Sequence, residues 1–281
     1  MVEGFDYLEY MKNHVYRPLM DVHLRADIID PASALEAYQI VFSPFLPALD
    51  ESGLRERLRA WIEAGGTWIV GPLSDVRTLE GTKPMRTPFV CIEEWAGVFC
   101  KYELPGEPRN FTLRWSEGRT SPGSLWYSGF VPGGNVETIA SYTNGPLEGL
   151  AAVTETQVGE GRIVLLGTLP IAHDLQKLLL HYSARCGISP TAEATPNVLA
   201  VPRDGSAGMG CIVIELFNRP GTIVIPGEAV DLLDGKVYSG KVEIRPYQVM
   251  VLCMSEKRIK ANSQSARRKL IGSLEPEIAS E

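Results

Sequence analysis

Residues 38–70 constrain this chain more than any other stretch. Tyr38-Gln39-Ile40-Val41-Phe42 is a short apolar run stopped by Ser43-Pro44. Leu54, Leu58, Trp61 and Ile62 then recur at helical spacing, which predicts an amphipathic helix. Asp50 or Ser52 is placed to cap its start. Gly65-Gly66 is placed to end it, because glycine accepts the left-handed conformation of a helix terminus. Thr67-Trp68-Ile69-Val70 follows at once, apolar as a strand buried on both faces is. Strand, helix, glycine turn and strand together predict a parallel crossover, and with it an α/β sheet.

The flanking segments are read against that unit. Tyr7, Tyr10, Met11 and His14 fall at helical spacing, with Pro18 near the end of the pattern, and Ala26-Asp27-Ile28-Ile29 is expected as a short strand. Between Val90 and Leu150, short extended pieces such as Phe111–Trp115 and Val136–Tyr142 alternate with Gly/Pro breaks, as an insertion of hairpins and loops does. Gly159-Glu160-Gly161 is a hairpin turn between two apolar strands, and a helix over about Ala172–Cys186 stops at Gly187. Residues 188–197 are small and twice prolyl, the composition of a linker. Beyond them every segment is strand-like: Cys211–Phe217, Thr222–Ile225, Val230–Leu233, Val242–Ile244 and Val249–Met254, with a turn at Asp234-Gly235. The expected organisation is an α/β domain over 1–187, the linker 188–197, a small antiparallel β domain over 198–254 and a disordered tail over 255–281.

Composition excludes several classes of function. The net charge is −7, and residues 256–281 carry +2 of it, so the first 255 residues stand at −9. A body this acidic repels phosphate backbones, so no nucleic-acid partner is expected. No apolar run approaches the length of a membrane span, and Met1-Val2-Glu3-Gly4 lacks the basic start of a signal peptide. Five scattered cysteines, Cys91, Cys100, Cys186, Cys211 and Cys253, suit reduced thiols in a cytoplasmic protein.

The residues offer little chemistry. None of the five cysteines sits in a glycine-flanked elbow that would present a nucleophile. His173 and His181 lie about 12 Å apart along a helix, too far to share an ion, so no metal is expected. Gly159-Glu160-Gly161 precedes a strand, not the helix N-terminus that would cradle phosphate. Glu93-Glu94-Trp95 puts two acids beside an aromatic, but neighbours on a strand point to opposite faces and could not straddle one bond. Trp95, Trp115 and Trp126 remain open as sugar-stacking surfaces, with core or interface packing the plainer reading. No catalytic residue, no defined binding residue and no cofactor is assigned.

The succession of segments nevertheless has a counterpart. Tyr16-Arg17-Pro18-Leu19, Ala26-Asp27-Ile28-Ile29, Tyr38–Pro44, Trp61–Pro72 and Gly159–Gly167, followed by Val230–Gly235 and Arg245–Leu252, resemble the middle and C-terminal domains of glycoside hydrolase family 42 β-galactosidases. That resemblance implies a flavodoxin-like, class I amidotransferase-like doubly wound sheet followed by a small antiparallel β domain. It also implies assembly as a homo-oligomer, a trimer in the family, with the catalytic barrel lying upstream. The family's two catalytic glutamates belong to that barrel, so none is carried over to this chain. The family's middle domain opens with a strand before the helix that here begins near Phe5. The expectation is therefore a truncated or split gene, or an upstream polypeptide that supplies the strand. Alternatives from other classes are a free-standing carbohydrate-binding or regulatory module, and an amidotransferase-like enzyme with a displaced nucleophile at Cys91 or Cys100.

Overall fold

A computed structural model describes residues 6–49, 51–85, 87–106, 110–205 and 208–254. The expected tail over 255–281 and the cap at Asp50 lie outside the described residues. Two compact units are present. The first holds residues up to Pro18 together with Ala26–Ser189, and the second holds Leu19–Arg25 with the residues from Pro190 on. No helix among the described residues is long and apolar enough to cross a membrane.

The chain opens with a helix, α1 (7–21), whose middle turn Met11–Tyr16 is π-helical. Pro18 explains the wider turn. It has no N–H to give, and the ladder just before it slips so that Arg17 donates to Lys12 O, five residues back. The expected strand at Ala26–Ile29 does not form. That segment is irregular and leaves Ile28 85% exposed, because a short extended piece with no ladder to join gains nothing from being straight.

Strand β1 (Ile40–Ser43), helix α2 (Leu54–Glu63) and strand β2 (Thr67–Val70) form the crossover the sequence predicts, with Val41 opposite Trp68 in a parallel pair. Leu54, Leu58 and Ile62 are buried along one face of α2, and every residue of β2 is buried. The helix start differs from expectation: Ser52 and Gly53 both take left-handed backbone, Gly53 is the N-cap, and no side chain caps the helix. At the other end Gly66 N–H donates to Trp61 O at 3.0 Å.

A short helix α3 (Ile92–Ala96) leads into β3 (Val98–Leu104), β4 (Thr112–Trp115), β5 (Thr120–Leu125), β6 (Tyr127–Pro132) and β7 (Val136–Tyr142). These strands are not a separate excursion. With β8 (Ala151–Val158), β9 (Gly161–Leu166) and β10 (Leu169–Pro170) they join β1 and β2 in one mixed sheet, in the order β1-β2-β9-β8-β7-β4-β5-β10. The antiparallel β3–β6 pair branches from β8. Only the β1–β2 and β2–β9 pairs are parallel, and β9 meets β8 antiparallel. Helix α4 (Ala172–Arg185) buries Leu175, Leu178, Leu179 and Tyr182, and ends where Ile188 N–H reaches Ser183 O at 2.8 Å around left-handed Gly187.

The second unit is antiparallel throughout. It contains β11 (Glu193–Ala194), β12 (Val198–Gly205), β13 (Gly208–Glu215), β14 (Gly221–Asp231), β15 (Val237–Ile244) and β16 (Val249–Met254). Within the segment read as a linker, Glu193–Ala194 pair with β14. Thr222–Ile225 and Val230, expected in separate strands, belong to one long strand with a bulge between Ile225 and Glu228. Leu232 and Leu233 fall in the turn beyond it and are exposed. Glu215 is buried and pins this unit internally. Burial pushes its carboxyl up, but N–H groups of Tyr247, Phe217 and Arg219 and the Asn197 amide outweigh that and hold it down to about 2.

Two predictions follow from these contacts. A Cβ on Gly161 would collide with the backbone oxygens of Ile62 and Gly66. Gly161→Ala should therefore cost about 1–3 kcal/mol in urea unfolding, whereas Gly134→Ala, with nothing within 4 Å of its Cβ, should stay within about 0.5 kcal/mol. For Glu215, a depressed folded value means its contribution is whole above the unfolded value of about 4.3 and is lost as pH falls toward 2. The urea midpoint should drop less steeply between about pH 5 and 2.5 in Glu215→Gln than in wild type.

Candidate functional site

The paired acids come first. Glu93 and Glu94 sit on helix α3, not on a strand as expected. A glycine at position 97 with left-handed backbone closes the helix after five residues. Glu93 is used structurally: its Oε1 accepts the Cys100 N–H at 2.6 Å, fixing the start of β3. Glu94 lines an open cleft of about 550 Å³ together with Arg59, Trp95, Gln157, Val158 and Gly159. That cleft holds one carboxylate, where a glycosidic bond needs two facing each other.

The tryptophans are spoken for. In the cleft, the Arg59 guanidinium lies 5.3 Å from the Trp95 ring while Trp68 meets that ring edge-on at 6.0 Å. Trp95 is half-buried and packs against the main core. Trp115 is buried under Arg119, 4.3 Å away, and its indole N–H donates to Ser121 Oγ at 2.8 Å. Arg119 in turn pairs with Asp174, 1% exposed on the first turn of α4, and with Glu117. Trp126 is half-buried with left-handed backbone at φ 50, and its indole N–H has no hydrogen-bond partner among the described residues.

The thiols and imidazoles come next. All five cysteines are free. The Cys100 thiol is buried, and burial with the charges of Glu93 and Glu103 pushes it up to about 12. Cys91 is half-buried at the start of α3, and its N–H donates to Asp75 Oδ2 at 2.6 Å. His173 and His181 are exposed on α4, and among the described residues no three metal-ligating side chains lie together.

Sequence reasoning missed the buried polar residues that organise this unit. Asp75, fully buried with left-handed backbone, accepts both the Cys91 and Ile92 N–H groups and so caps α3; burial raises its carboxyl, which those bonds partly offset. On β8, Glu155 accepts the Tyr182 hydroxyl at 2.6 Å and pairs with Arg185 at 3.0 Å. No spacing rule announces such contacts, because their partners lie 16 to 30 residues away.

Three comparisons with known proteins complete the picture. The profile of a family described as the β-galactosidase trimerisation domain matches residues 1–189. β-Galactosidase YesZ of Bacillus licheniformis is 30% identical over 247 residues, spanning 86% of this chain and 37% of that protein. The Bacillus subtilis YesZ β-galactosidase is 31% identical over 245 residues, 85% of this chain and 36% of that protein. The chain thus spans little more than a third of these relatives' length. The crystal structure of β-galactosidase from Bacillus circulans sp. alkalophilus superposes with a TM-score of 0.81 at 19% identity, over 89% of this chain and 38% of that one. At that identity the likeness speaks for the fold.

A thiol raised to about 12 is ionised in about one molecule in ten thousand at pH 8. Peptide mapping after treatment of native protein with a thiol reagent at that pH should find Cys100 unlabelled. Labelling of Cys100 faster than global unfolding would restore it as a nucleophile.

Proposed function

The chain belongs to the glycoside hydrolase family 42 β-galactosidases, of which it carries the trimerisation domain, and from this we propose that its own work is assembly: it joins copies into a homotrimer. The observation that carries the reading is the family match over residues 1–189. In this reading residues 1–187 are a flavodoxin-like, class I amidotransferase-like assembly domain and 198–254 a companion β domain. The parallel strands β1, β2 and β9 with the α2 crossover support the flavodoxin-like assignment. The intact proteins would hydrolyse terminal β-D-galactosides with two carboxylates. We assign that reaction to the part of those proteins outside the third that this chain spans. Five free cysteines accord with a cytoplasmic setting.

A sugar-binding role finds less support. Its best site is the cleft at Trp95, where Arg59 covers the ring that a sugar would stack on. The test joins two measurements on the purified chain. Light scattering should give the mass of three 30.9 kDa copies, and a chromogenic galactoside should be hydrolysed no faster than in buffer. A monomer at micromolar concentration, or hydrolysis abolished by Glu94→Gln, would overturn the proposal.

A further inference from the structure

Apart from Leu19–Arg25, the residues matched by the trimerisation family fall in the first unit, whose large apolar side chains are mostly covered. The exposed exceptions are Tyr7, Leu8, Ile28, Leu79, Met85, Phe99, Tyr102 and Val131. The first five lie in the opening turn of α1 or on irregular chain. Phe99, Tyr102 and Val131 differ, because they stand on the hydrogen-bonded strands of the β3–β6 pair and are held ready. Phe99 and Val131 are direct cross-strand partners, exposed to 59% and 43%.

Tyr102 joins them through an irregularity. In a regular strand Phe99, Lys101 and Glu103 would share one face and Tyr102 would turn inward beside Cys100. The register shifts between Cys100 and Tyr102, so that Cys100 pairs with Phe130 and Tyr102 with Gly129. Gly129 and Val131 share a face, and the bulge therefore places Tyr102 on the same side as Phe99, with 44% of its surface open. Bulges re-aim side chains in this way. The same bulge disrupts the free edge of β3 against strand-by-strand growth, which leaves the outer face as the contact surface.

We infer that this outer face of the β3–β6 strand pair, built on Phe99, Tyr102 and Val131, is the apolar centre of the contact between copies of this chain. The inference rests on the assembly reading above and names the surface that performs it. Two half-open aromatic rings and a valine present on the order of 250 Å², about a third of the roughly 800 Å² each partner covers in a stable interface. That proportion suits an aromatic core within a polar rim. Lys101, whose ammonium lies 5.5 Å from the Tyr102 ring, and the Lys83–Glu103 pair supply the rim. Cations there offset the self-repulsion of copies that each carry −7. A ring closed by threefold rotation is heterologous, so the strand pair of one copy meets a different surface of the next.

Light scattering of the full chain tests the assignment. Phe99→Asp and Tyr102→Asp should weaken assembly at least roughly thirtyfold, the loss of one central anchor, with the far-ultraviolet circular dichroism unchanged. Leu232→Asp, an exposed residue of the second unit, should leave the wild-type mass. Hydroxyl-radical footprinting of wild type should find Phe99 and Tyr102 protected in the assembled form and reactive on dilution. That readout also decides the matter if the aspartate variants fail to fold. Variants that keep the wild-type mass, or equal reactivity at both concentrations, would overturn the inference and leave the assembly reading standing. A wild-type monomer would overturn the assembly reading itself.

Discussion

Everything in the first unit leans on one buried strand. Thr67–Val70 has a parallel neighbour on each edge, β1 and β9, and all four of its residues are buried. Such a strand gives up water along its whole length and can be stable only if both faces are filled. On the face that Trp68 and Val70 share, Leu58 and Ile62 of α2 and Ile92 and Ala96 of α3 belong to the same core cluster. The one polar atom that the largest side chain brings inside is satisfied as well: the Trp68 indole N–H donates to Ser43 Oγ at 2.5 Å. Glycines let the surrounding turns approach this closely, and Gly161 packs against the backbone at the end of α2.

The same economy accounts for the absence of visible chemistry among the described residues. Acids packed into this fold hold elements in place: the buried Asp75 the start of α3, the half-buried Glu93 the start of β3, and the buried Asp174 Arg119 above Trp115. Asp174 already has its charged partner in Arg119, and a buried charge so paired is costly to free. What the packing leaves over is an outer face of rigid strand with aromatic side chains standing off it. A surface of that kind suits protein contact, and it accords with a family whose description is trimerisation.

Parts of this structure are legible in the amino-acid order and parts are not, for a physical reason. The β1–α2–β2 crossover is written in periodicity: Leu54, Leu58 and Ile62 recur every four residues, and Gly65-Gly66 stops the helix. The hairpin at Gly159-Glu160-Gly161 and the end of α4 at Gly187 are written in glycine. Ala26–Ile29 misleads because local apolar character cannot report whether a neighbouring ladder exists. Glu93 and Glu94 mislead because five residues are too few to distinguish a helix turn from a strand. The bulge at Lys101 and the cap that Asp75 makes on α3 are tertiary events, decided by groups distant in the chain, and leave no periodic trace.

The central claim is that this chain's function is to bring copies of itself together through the first unit. A cryo-electron microscopy reconstruction of the purified 281-residue chain tests it most directly. The account predicts a threefold ring in which first units touch one another, with the face of Phe99, Tyr102 and Val131 covered. Single unassembled copies, or copies joined through their second units alone, would contradict it.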